Sequence, residues 1–491
     1  FLHCIPTMLR RGAIGAGALA ALAGSQKLVL SSQPALGWFC QPRPRQRRDA
    51  DLSGKAALVV GAGVAGISVA HALARRGYTV TILDGRDGPA APGASSAAAA
   101  GGMEYTHHFT APHEWVTMMR QLLPRLPGDD SYRFFYLDWS TVPDFGYLRW
   151  LGWFAWESLI PNKSRDEARE QFAHVVEWSI NQTIGVIEEL RLPCHYATPG
   201  SIRFQATAGG GGYSLGMQPG AKMLSRAEAV AVDPAIQAVK PDVDEFVFTP
   251  GGGRGDAELY TQALAKHCFA KEGVRLLTGA NVVGFDKEDG RVTGVWTETG
   301  VIEVPADVPV VLCAGAWSML VCDALGVFCP VYPLKGYDAL VRAPVTKPGC
   351  VLSSGYLYAC PLGDKIRVAS MAQFCGWDVS VHKPVAEALQ REATRIFPGW
   401  AEEIKGAHIV AGLRPYAADE RPLLGRIPGF ANAYINAGPG HTGWKAAAGF
   451  AELVVRDVCG EPAPIDASST RPEGRMPRAL NPTTAVLRAV Q

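Results

Sequence analysis

The stretch KAALVVGAGVAGISVAHALARRGYTVTILD, residues 55–84, decides the fold class. It begins with the apolar run KAALVV, passes through the turn GAGVAG into a helix-like stretch, and ends in a second apolar run, YTVTIL. This order of strand, glycine turn, helix and strand is a βαβ unit. The sequence therefore predicts an α/β protein built around a Rossmann-type domain.

The glycines of this turn have the spacing of a dinucleotide site. Gly61, Gly63 and Gly66 form G-x-G-x-x-G, which permits a tight turn, close approach of the backbone to a pyrophosphate, and close packing of helix on strand. Asp84 ends the second strand, where an acid holds ribose hydroxyls and disfavours the 2′-phosphate of NADP. A purely structural glycine turn is the alternative. The flanking strand, helix and acid favour dinucleotide binding.

Composition narrows the classes of function. The chain has 491 residues, 48% of them hydrophobic, which is enough for a large core and two domains. The net charge of +1 argues against nucleic acid as a partner. The 11 cysteines include no C-x-x-C pair and no Cys/His cluster at zinc spacing, so we expect a reducing compartment and no metal site. No apolar run reaches the roughly 18 residues that suggest a membrane span.

The first 50 residues differ from the rest. From Met8 to Arg48 the chain has no acidic residue but several arginines, a composition typical of an organelle transit peptide. A secretory signal is the alternative, because AIGAGALAALAG resembles an apolar signal core. We expect an organelle location, mitochondrial in the first place and plastid in the second.

Local patterns divide the rest of the chain into two interleaved domains. Residues 256–273 and 384–397 are predicted helices, 280–304 are alternating strands, and VPVVLCAGAWS is a buried strand that enters a glycine turn. The predicted dinucleotide domain contains residues 51–112, 221–328 and 405–460. The predicted sheet-plus-helix substrate domain contains residues 113–220 and 329–404, and residues 461–491 form an extended tail.

Several further motifs carry a family resemblance. They are the small-residue segment Ser95–Gly102, DAELYTQALA, GRVTGV, VVLCAGAWS, PVYPLKGY, GLRP and NAGPGHTGW. With the glycine turn and Asp84, they make residues 55–458 resemble the FAD-dependent family of D-amino-acid dehydrogenases and oxidases, which includes glycine and sarcosine oxidases. The resemblance is closest to bacterial D-amino-acid dehydrogenases. It implies that the bound dinucleotide is FAD.

The resemblance also assigns residues to the cofactor. Ser95 and Ser96 belong to a segment that lies close to the flat ligand, and the backbone at Val282 contacts the adenine. The residues implied at the flavin itself are Ala314, Gly315 and Trp317 and, in the loop from Gly438 to Trp444, Gly440, Thr442 and Gly443. An ordinary glycine-rich helix entry is the alternative for this loop. Some relatives bind flavin covalently through a histidine where this chain has Ala98, so we expect non-covalent FAD.

Arg414, in GLRPYAADERPLLG, is the residue that the resemblance places on the substrate. The following proline favours an extended backbone, so Arg414 is expected near the end of a strand. In relatives the matching arginine binds the substrate carboxylate with two parallel hydrogen bonds. The alternative is a structural ion pair with Asp419 or Glu420.

Other candidates have weaker support. Tyr356 and Tyr358 are two residues apart, so both are predicted on one face of a strand. Relatives place a carboxylate-binding tyrosine in this region, and Tyr358 is the better candidate for it. Packing within the sheet is the alternative for both tyrosines. His441 is a candidate base, although a lone loop histidine more often only forms hydrogen bonds. Tyr337 is a weaker candidate for the rim of the site.

The helical spacing of Trp150, Trp153 and Trp156 has two interpretations. A stripe of core residues is one, and a docking surface for a membrane or a quinone-side partner is the other.

The resemblance implies an enzyme that oxidises the C–N bond of a small amino acid, with a D-amino acid as the first expectation. Hydride transfer to flavin gives an imine, which hydrolyses to a 2-oxo acid and ammonia. The electron acceptor is left open between oxygen, a quinone and an electron-transfer protein. The alternatives are a glycine- or sarcosine-type oxidase, a non-catalytic FAD-binding assembly factor, and an NAD-linked dehydrogenase.

Overall fold

The computed structural model describes residues 43–104, 109–123, 133–206, 220–342 and 346–478. The predicted βαβ unit is present: β1 (Ala56–Val60) leads through the glycine turn into α1 (Val64–Ala74), and β2 (Thr79–Leu83) returns parallel to β1. All residues of β1 are buried, as expected of a parallel strand with both faces covered.

The first sheet is built around this unit. In the described residues it has six strands in the order β19-β20-β13-β1-β2-β9, and only β19 runs antiparallel to its neighbour. A three-stranded antiparallel sheet, β10 to β12, packs on one face. The added strands are β9 (Arg275–Leu277), β10 (Val282–Glu288), β11 (Arg291–Thr297), β12 (Gly300–Glu303), β13 (Val310–Leu312), β19 (Leu423–Arg426) and β20 (Ala433–Ala437).

The second sheet is larger and mostly antiparallel. Among the described residues it has nine strands in the order β18-β14-β17-β16-β15-β5-β7-β6, with β4 paired to β17. The strands are β4 (Phe135–Leu137), β5 (Ser201–Phe204), β6 (Lys222–Ser225), β7 (Glu245–Thr249), β14 (Val331–Arg342), β15 (Val351–Ser354), β16 (Leu357–Leu362), β17 (Lys365–Phe374) and β18 (His408–Ala417). A short pair, β3 (Gly102–Met103) with β8 (Gly253–Arg254), lies outside both sheets.

Helices cover both sheets. They are α2 (Pro112–Leu122), α3 (Phe145–Leu159), α4 (Lys163–Leu190), α5 (Arg226–Val232), α6 (Ala257–Lys271), α7 (Ser318–Leu325), α8 (Lys383–Ile396), α9 (Ala401–Lys405) and α10 (Ala447–Cys459). α1, α4, α6 and α10 bury one face of the first sheet, and α5, α8 and α9 bury the outer face of the second. α2 and α3 bring an aromatic cluster against the inner face of the second sheet, which faces the first.

The predicted domain boundaries are wrong at three places. β6 and β7, from the predicted segment 221–328, pair with each other and with β5 in the second sheet. β18, from the predicted segment 405–460, pairs along its whole length with β14 of the same sheet. α4, from the predicted substrate segment 113–220, packs on α10 in the core of the first sheet. Pairing between strands distant in sequence leaves no mark on local composition, so these boundaries could not be read from it.

Of the predicted leader, residues 1–50, the structure describes residues 43–50, and the predicted end of the leader at residue 50 stays a prediction. Residues 43–50 contact the three-stranded sheet, where Arg43 pairs with Asp286 at 2.9 Å and Arg47 with Glu303 at 2.6 Å. The rest of the predicted leader, residues 1–42, lies outside the described residues.

The predicted extended tail is packed as far as residue 478. Arg475 pairs with the buried carboxylate of Asp419 at 2.7 Å, and the side chain of Met476 is buried. An ion pair between residues so far apart in sequence cannot be deduced from the Pro-, Ser- and Thr-rich composition. Residues 479–491 lie outside the described residues.

Candidate active site

The glycine turn has the backbone that its spacing predicts. Gly61 has a φ of +108°, and a Cβ at this position would lie 2.4 Å from the carbonyl oxygen of Cys313. A Cβ on Gly66 would lie 1.8 Å from the carbonyl oxygen of Gly61. Both positions therefore require glycine for the turn itself. Gly63 is different: its φ is −74°, and an added Cβ would meet only the Ser96 hydroxyl at 3.4 Å.

Asp84 and Ser96 fix this turn from its open side. The carboxylate of Asp84 accepts hydrogen bonds from the backbone N–H of Ala62 at 2.6 Å and of Arg86 at 2.8 Å. The hydroxyl oxygen of Ser96 accepts the N–H of Val64, the first residue of α1, at 3.0 Å. A carboxylate and a hydroxyl thus lie beside the helix N-terminus, where a dinucleotide's ribose and pyrophosphate bind.

The segment around Ser95 is held against the second sheet. The Ser95 hydroxyl donates to the carbonyl oxygen of Leu413 on β18. The two can approach because Gly412 has no side chain: a Cβ there would lie 2.7 Å from the Cβ of Ala98. The segment therefore joins the glycine turn to the strand that carries Arg414.

The loop before α10 is only partly exposed to the site. Gly440, His441, Gly443 and Trp444 line it. Gly438 and Thr442 support the loop from behind. The φ of Gly438 is +74°, and a Cβ there would lie 2.8 Å from Val331, while the Thr442 hydroxyl donates to the carbonyl oxygen of Pro439 at 2.7 Å.

These elements enclose one cavity of about 980 Å³ between the two sheets. Its lining includes most of the residues predicted from the sequence: Gly61, Gly63, Asp84, Ser95, Ser96, Val282, Ala314, Gly315, Trp317, Tyr356, Tyr358, Arg414, Gly440, His441, Gly443 and Trp444. The predicted cofactor residues and the predicted substrate residues therefore share one space. A cavity of this size is in the range of cofactor and ligand sites.

Arg414 lies on β18 with its guanidinium group against the neighbouring strand β14. A Cβ on Gly336 would lie 2.2 Å from its Nη2 and 2.4 Å from its Cζ, so the absence of a side chain there makes room for the group. Nη1 donates to the carbonyl oxygen of Met371 at 3.1 Å. Met371 has a φ of +66° at a bulge between β14 and β17, a conformation unusual for a non-glycine residue. The fold thus holds the guanidinium group at the cavity wall.

The carboxylates proposed as structural partners of Arg414 have other contacts. Asp419 binds Arg421 at 3.0 Å and Arg475 at 2.7 Å. Glu420 accepts hydrogen bonds from the N–H and hydroxyl of Thr110 and from the hydroxyl of Tyr416. These contacts account for both acids, and the buried acid that senses the charge of Arg414 is instead Asp338, whose pKa the guanidinium group lowers against the effect of burial. The role of Arg414 stays a prediction.

The two candidate tyrosines line the cavity but do not share a strand. Tyr358 lies on β16, whereas Tyr356 lies in the turn between β15 and β16. The prediction of one strand face is therefore wrong, because two-residue spacing holds only inside a strand. The ring of Tyr356 stacks on Phe134 with centroids 4.2 Å apart, and its hydroxyl donates to Glu114 at 3.3 Å.

Tyr337, the weaker rim candidate, is not at the rim. It is fully buried in the core on the outer face of the second sheet, and its hydroxyl is bonded to Gln373. Strand alternation places Gly336 on the cavity side and Tyr337 on the other.

Comparison with known proteins gives the family. A family profile described as FAD dependent oxidoreductase matches residues 56–456. The chain belongs to this family. It is 27% identical over 425 residues to a D-amino acid dehydrogenase of Granulibacter bethesdensis, covering 83% of this chain and 97% of the relative. It is 30% identical over 422 residues to a D-amino acid dehydrogenase of Methylobacterium sp., covering 82% and 95%.

Solved structures give the same fold. A glycine oxidase from Geobacillus kaustophilus superposes with a TM-score of 0.61 at 20% identity, covering 85% of this chain and 97% of that one. An iminodiacetate oxidase from Chelativorans sp. gives 0.60 at 21%, covering 84% and 98%. The protein is an FAD-dependent amino-acid dehydrogenase or oxidase. The family match therefore favours an FAD enzyme over the assembly-factor and NAD-linked alternatives.

The cavity fits FAD in its local chemistry. At Gly61 and Gly66 a side chain would clash with the backbone, but at Gly63 it would only fill cavity space. A pyrophosphate that approaches the turn needs this space. Asp84 is placed for the ribose, and Val282, Ala314 and Gly315 continue the lining toward the flavin end. The individual assignments of these residues to parts of FAD stay predictions.

Among the cavity residues that the sequence analysis missed are Tyr416 and Lys445. Tyr416 is two positions from Arg414 on β18 and so lies on the same face; the spacing in RPY was the signal for it. Lys445 is 5% exposed, and its Nζ donates to the carbonyl oxygen of Glu104 at 2.7 Å. Burial lowers the pKa of Lys445 to about 8. No sequence signal marks it, because its burial depends on residues 340 positions away.

Of the predicted tryptophan stripe, Trp150 is a core residue and Trp156 is exposed. Trp150 is 1% exposed, stacks on Phe154 and donates its indole N–H to the carbonyl oxygen of Tyr416 at 2.9 Å, as a core residue does. Trp156 is 60% exposed on the other side of α3. Other exposed apolar residues in this part of the chain are Trp139, Phe145, Leu148, Leu159 and Ile160. Over the described ranges, no helix combines the length and apolarity that crossing a membrane requires.

Another cluster lies behind the glycine turn. His71 on α1 contacts Glu272 at 2.9 Å, and His267 on α6 contacts the same carboxylate at 3.4 Å. The donor atoms of the three lie within 4.8 Å of one another, a spacing at which a metal ion is also held. The expectation of no metal site therefore stays a prediction. It came from the spacing of cysteines and histidines along the sequence, and such spacing does not show residues that two distant helices bring together.

Proposed function

We propose that the enzyme oxidises the C–N bond of D-amino acids to an imine, which water hydrolyses to a 2-oxo acid and ammonia. When bound, FAD supplies the acceptor for the α-hydrogen, which leaves as hydride. The D-configuration is supported by the names of the relatives, which are D-amino acid dehydrogenases. The observation that carries the amino-acid assignment is the position of Arg414 in the cavity wall.

Arg414 is suited to bind the substrate carboxylate. A guanidinium group pairs with a carboxylate through two parallel hydrogen bonds, and such charge-assisted contacts are about twice as strong as neutral ones. Its place over Gly336 and its bond to the Met371 carbonyl limit its rotamers before substrate arrives. Less conformational entropy is then lost on binding, and the α-carbon is positioned in the same step.

Tyr358, Tyr356 and His441 complete the proposed constellation. Tyr358 lines the cavity and is proposed as the second group on the carboxylate. Tyr356, stacked on Phe134, is proposed to border the substrate. An amino acid donates hydride from its neutral-amine form, so one proton must leave the ammonium group. His441, exposed at the cavity, is the candidate to accept it.

The electron acceptor and the cellular location are also proposed. The relatives are named dehydrogenases, which favours a quinone or an electron-transfer protein over oxygen as the acceptor. The exposed apolar residues around Trp156 would suit peripheral contact with such a partner or with a membrane surface. The absence of acidic residues from Met8 to Arg48 supports an organelle, with mitochondria first. Import of a fluorescent fusion to residues 1–50 tests it.

An anaerobic flavin-reduction screen tests the function. Purified holoenzyme is mixed with D-amino acids, their L-enantiomers, glycine and sarcosine, and loss of the oxidised flavin absorbance is followed. We expect reduction by D-amino acids and little by L-enantiomers. Reduction by glycine or sarcosine alone would replace the proposal with the N-substituted amino-acid alternative, and reduction by no amino acid would refute it.

A further inference from the structure

The cavity beside Arg414 has a wall of aromatic side chains. We call Phe134, Trp150, Phe154, Phe374 and Trp377 the aromatic wall; all five line the cavity. Most belong to the cluster that α2 and α3 form against the inner face of the second sheet.

The aromatic wall adjoins the proposed carboxylate site through backbone contacts. Trp150 donates its indole N–H to the carbonyl oxygen of Tyr416, two residues after Arg414 on β18. Phe374 lies on β17 three residues after Met371, whose carbonyl oxygen accepts the Arg414 guanidinium. The rings of Trp150 and Phe374 are 5.8 Å apart. A carboxylate held by Arg414 therefore places the rest of an amino acid near this wall.

Phe134 is the partly exposed member of the aromatic wall, and the other four, each 5% exposed or less, support it from behind with their polar atoms bonded inside the protein. The indole N–H groups of Trp150 and Trp377 donate to the backbone carbonyls of Tyr416 and Ala316, each at 2.9 Å. Trp150 and Phe154 are stacked at 5.1 Å with a 14° angle between their planes. Rings fixed in this way offer dispersion contacts and exclude water.

Two acids beside the aromatic wall, Glu114 and Asp378, are engaged within the protein. Glu114 accepts the N–H of Ala111 at 2.8 Å and the hydroxyl of Tyr356 at 3.3 Å. Asp378 binds Lys335 at 2.8 Å and His382 at 2.7 Å. A cationic substrate side chain would have to compete with these contacts.

We infer that the enzyme selects amino acids with bulky apolar or aromatic side chains over glycine, alanine and charged amino acids. This inference rests on the proposed function. A hydrophobic pocket discriminates by roughly 10–200-fold for each missing methylene. Phenylalanine or leucine should therefore exceed alanine by about tenfold or more in the ratio of the flavin reduction rate to Kd.

The experiment measures that ratio by anaerobic stopped-flow for D-Phe, D-Leu, D-Ala, glycine and D-Lys. Two variants are compared: Phe134→Ala, in the aromatic wall, and Phe269→Ala, an exposed residue on α6, as the matched control. Phe134→Ala should lower the ratio for D-Phe about tenfold more than it lowers the ratio for D-Ala, which reaches the aromatic wall least. Phe269→Ala should change neither.

The outcomes separate this inference from the proposed function. If D-Ala or glycine reduces the flavin as efficiently as D-Phe, or if Phe134→Ala lowers all substrates equally, the inference is overturned and the proposed function stands. If no amino acid reduces the flavin, both fail. If Phe134→Ala loses FAD, Phe134→Leu replaces it, and the D-Phe to D-Ala ratio must still fall.

Discussion

The guanidinium group of Arg414 lies directly over Gly336 of the neighbouring strand. A Cβ at position 336 would stand 2.2 Å from Nη2 and 2.6 Å from Nη1. The obstructing atoms are the end of a flexible side chain rather than backbone, so a small residue here displaces the guanidinium group without breaking the sheet. This relationship separates the proposed carboxylate role of Arg414 from the stability of the fold.

Gly336→Ala should therefore weaken substrate binding while FAD content and Tm stay near normal. A displacement of about 1 Å at a reacting site costs up to a hundredfold, so we expect a loss of roughly 10–100-fold in the ratio of flavin reduction rate to Kd. Anaerobic stopped-flow measures it. An amino-acid amide, which has no carboxylate, should be oxidised equally by both proteins. An unchanged ratio would show that the guanidinium group does not contact substrate.

Arg414→Ala should have a larger effect on the same ratio. Losing a hydrogen-bonded contact between charged groups costs about 2–3 kcal/mol. At 1.4 kcal/mol per tenfold, the ratio should fall by roughly a hundredfold. Arg414→Lys should recover only part, because an ammonium group lacks the planar fork. Arg391→Ala, an exposed arginine on α8, is the matched control. Loss of FAD with normal turnover in the remaining holoenzyme would instead indicate a structural arginine.

Gly63→Val should fold but bind FAD poorly. The φ of −74° suits any residue, and the nearest atom to an added Cβ is the Ser96 hydroxyl at 3.4 Å, so no clash opposes folding. The valine would occupy the approach of the pyrophosphate, at a cost of about 1–3 kcal/mol, which is roughly fivefold to a hundredfold in Kd for FAD.

The measurement for Gly63→Val is titration of apoprotein with FAD, with circular dichroism as the check on folding. Gly185→Val, in α4 with nothing within 4 Å of its Cβ position, is the matched control and should bind FAD normally. Equal affinity of the two variants for FAD would place the pyrophosphate elsewhere.

Acid precipitation should release all flavin into the supernatant. The sequence predicts no covalent flavin link at Ala98, which packs against β18. Cys313 also lines the cavity, but its burial raises the pKa of the thiol well above the ordinary value and makes it a poor nucleophile. Flavin fluorescence in the pellet would reveal a covalent link. Cys313→Ala and His441→Ala would then identify the attached side chain.

The sequence predicted those parts of the site that depend on local backbone geometry. Gly61 is required by its φ of +108° and Gly66 by its contact with Gly61 in the same turn, and the proline after Arg414 indicated a strand. Contacts between distant segments were not predictable in this way. The space over Gly336 exists because β14 and β18, which are distant in sequence, pair with Gly336 opposite Gly412, and pairing of this kind has no local signature.

The same limit explains the errors. Tyr356 and Tyr358 have strand-like spacing, but Gly355, with a φ of +57°, turns the chain just before the first tyrosine. β6 and β7 entered the wrong predicted domain because each strand is short and its partners are set by the fold, not by composition. Lys445 gave no sign of burial because a lysine is expected at the surface.

The pH dependence of stability should report a second buried contact beside the cavity. Arg367 donates to the carboxylate of Asp338 at 3.3 Å and to the carbonyl oxygens of Ala97 and Ala99 in the segment after Ser96. Burial raises the pKa of Asp338 to about 6, against the opposing effect of Arg367 and Arg414. In unfolded chains the pKa of aspartate is about 3.9.

Because the folded state holds this proton more tightly, the contribution of Asp338 to the free energy of unfolding is complete below about pH 4 and is lost as pH rises through about 6. Asp338→Asn stays neutral, so its Tm relative to wild type should rise between these pH values and then level off. Asp242→Asn is the matched control: a hydrogen bond to Lys240 lowers the pKa of this exposed carboxyl, so its relative Tm should fall slightly with rising pH. A flat or falling curve for Asp338→Asn would mean that Arg367 keeps Asp338 ionised throughout.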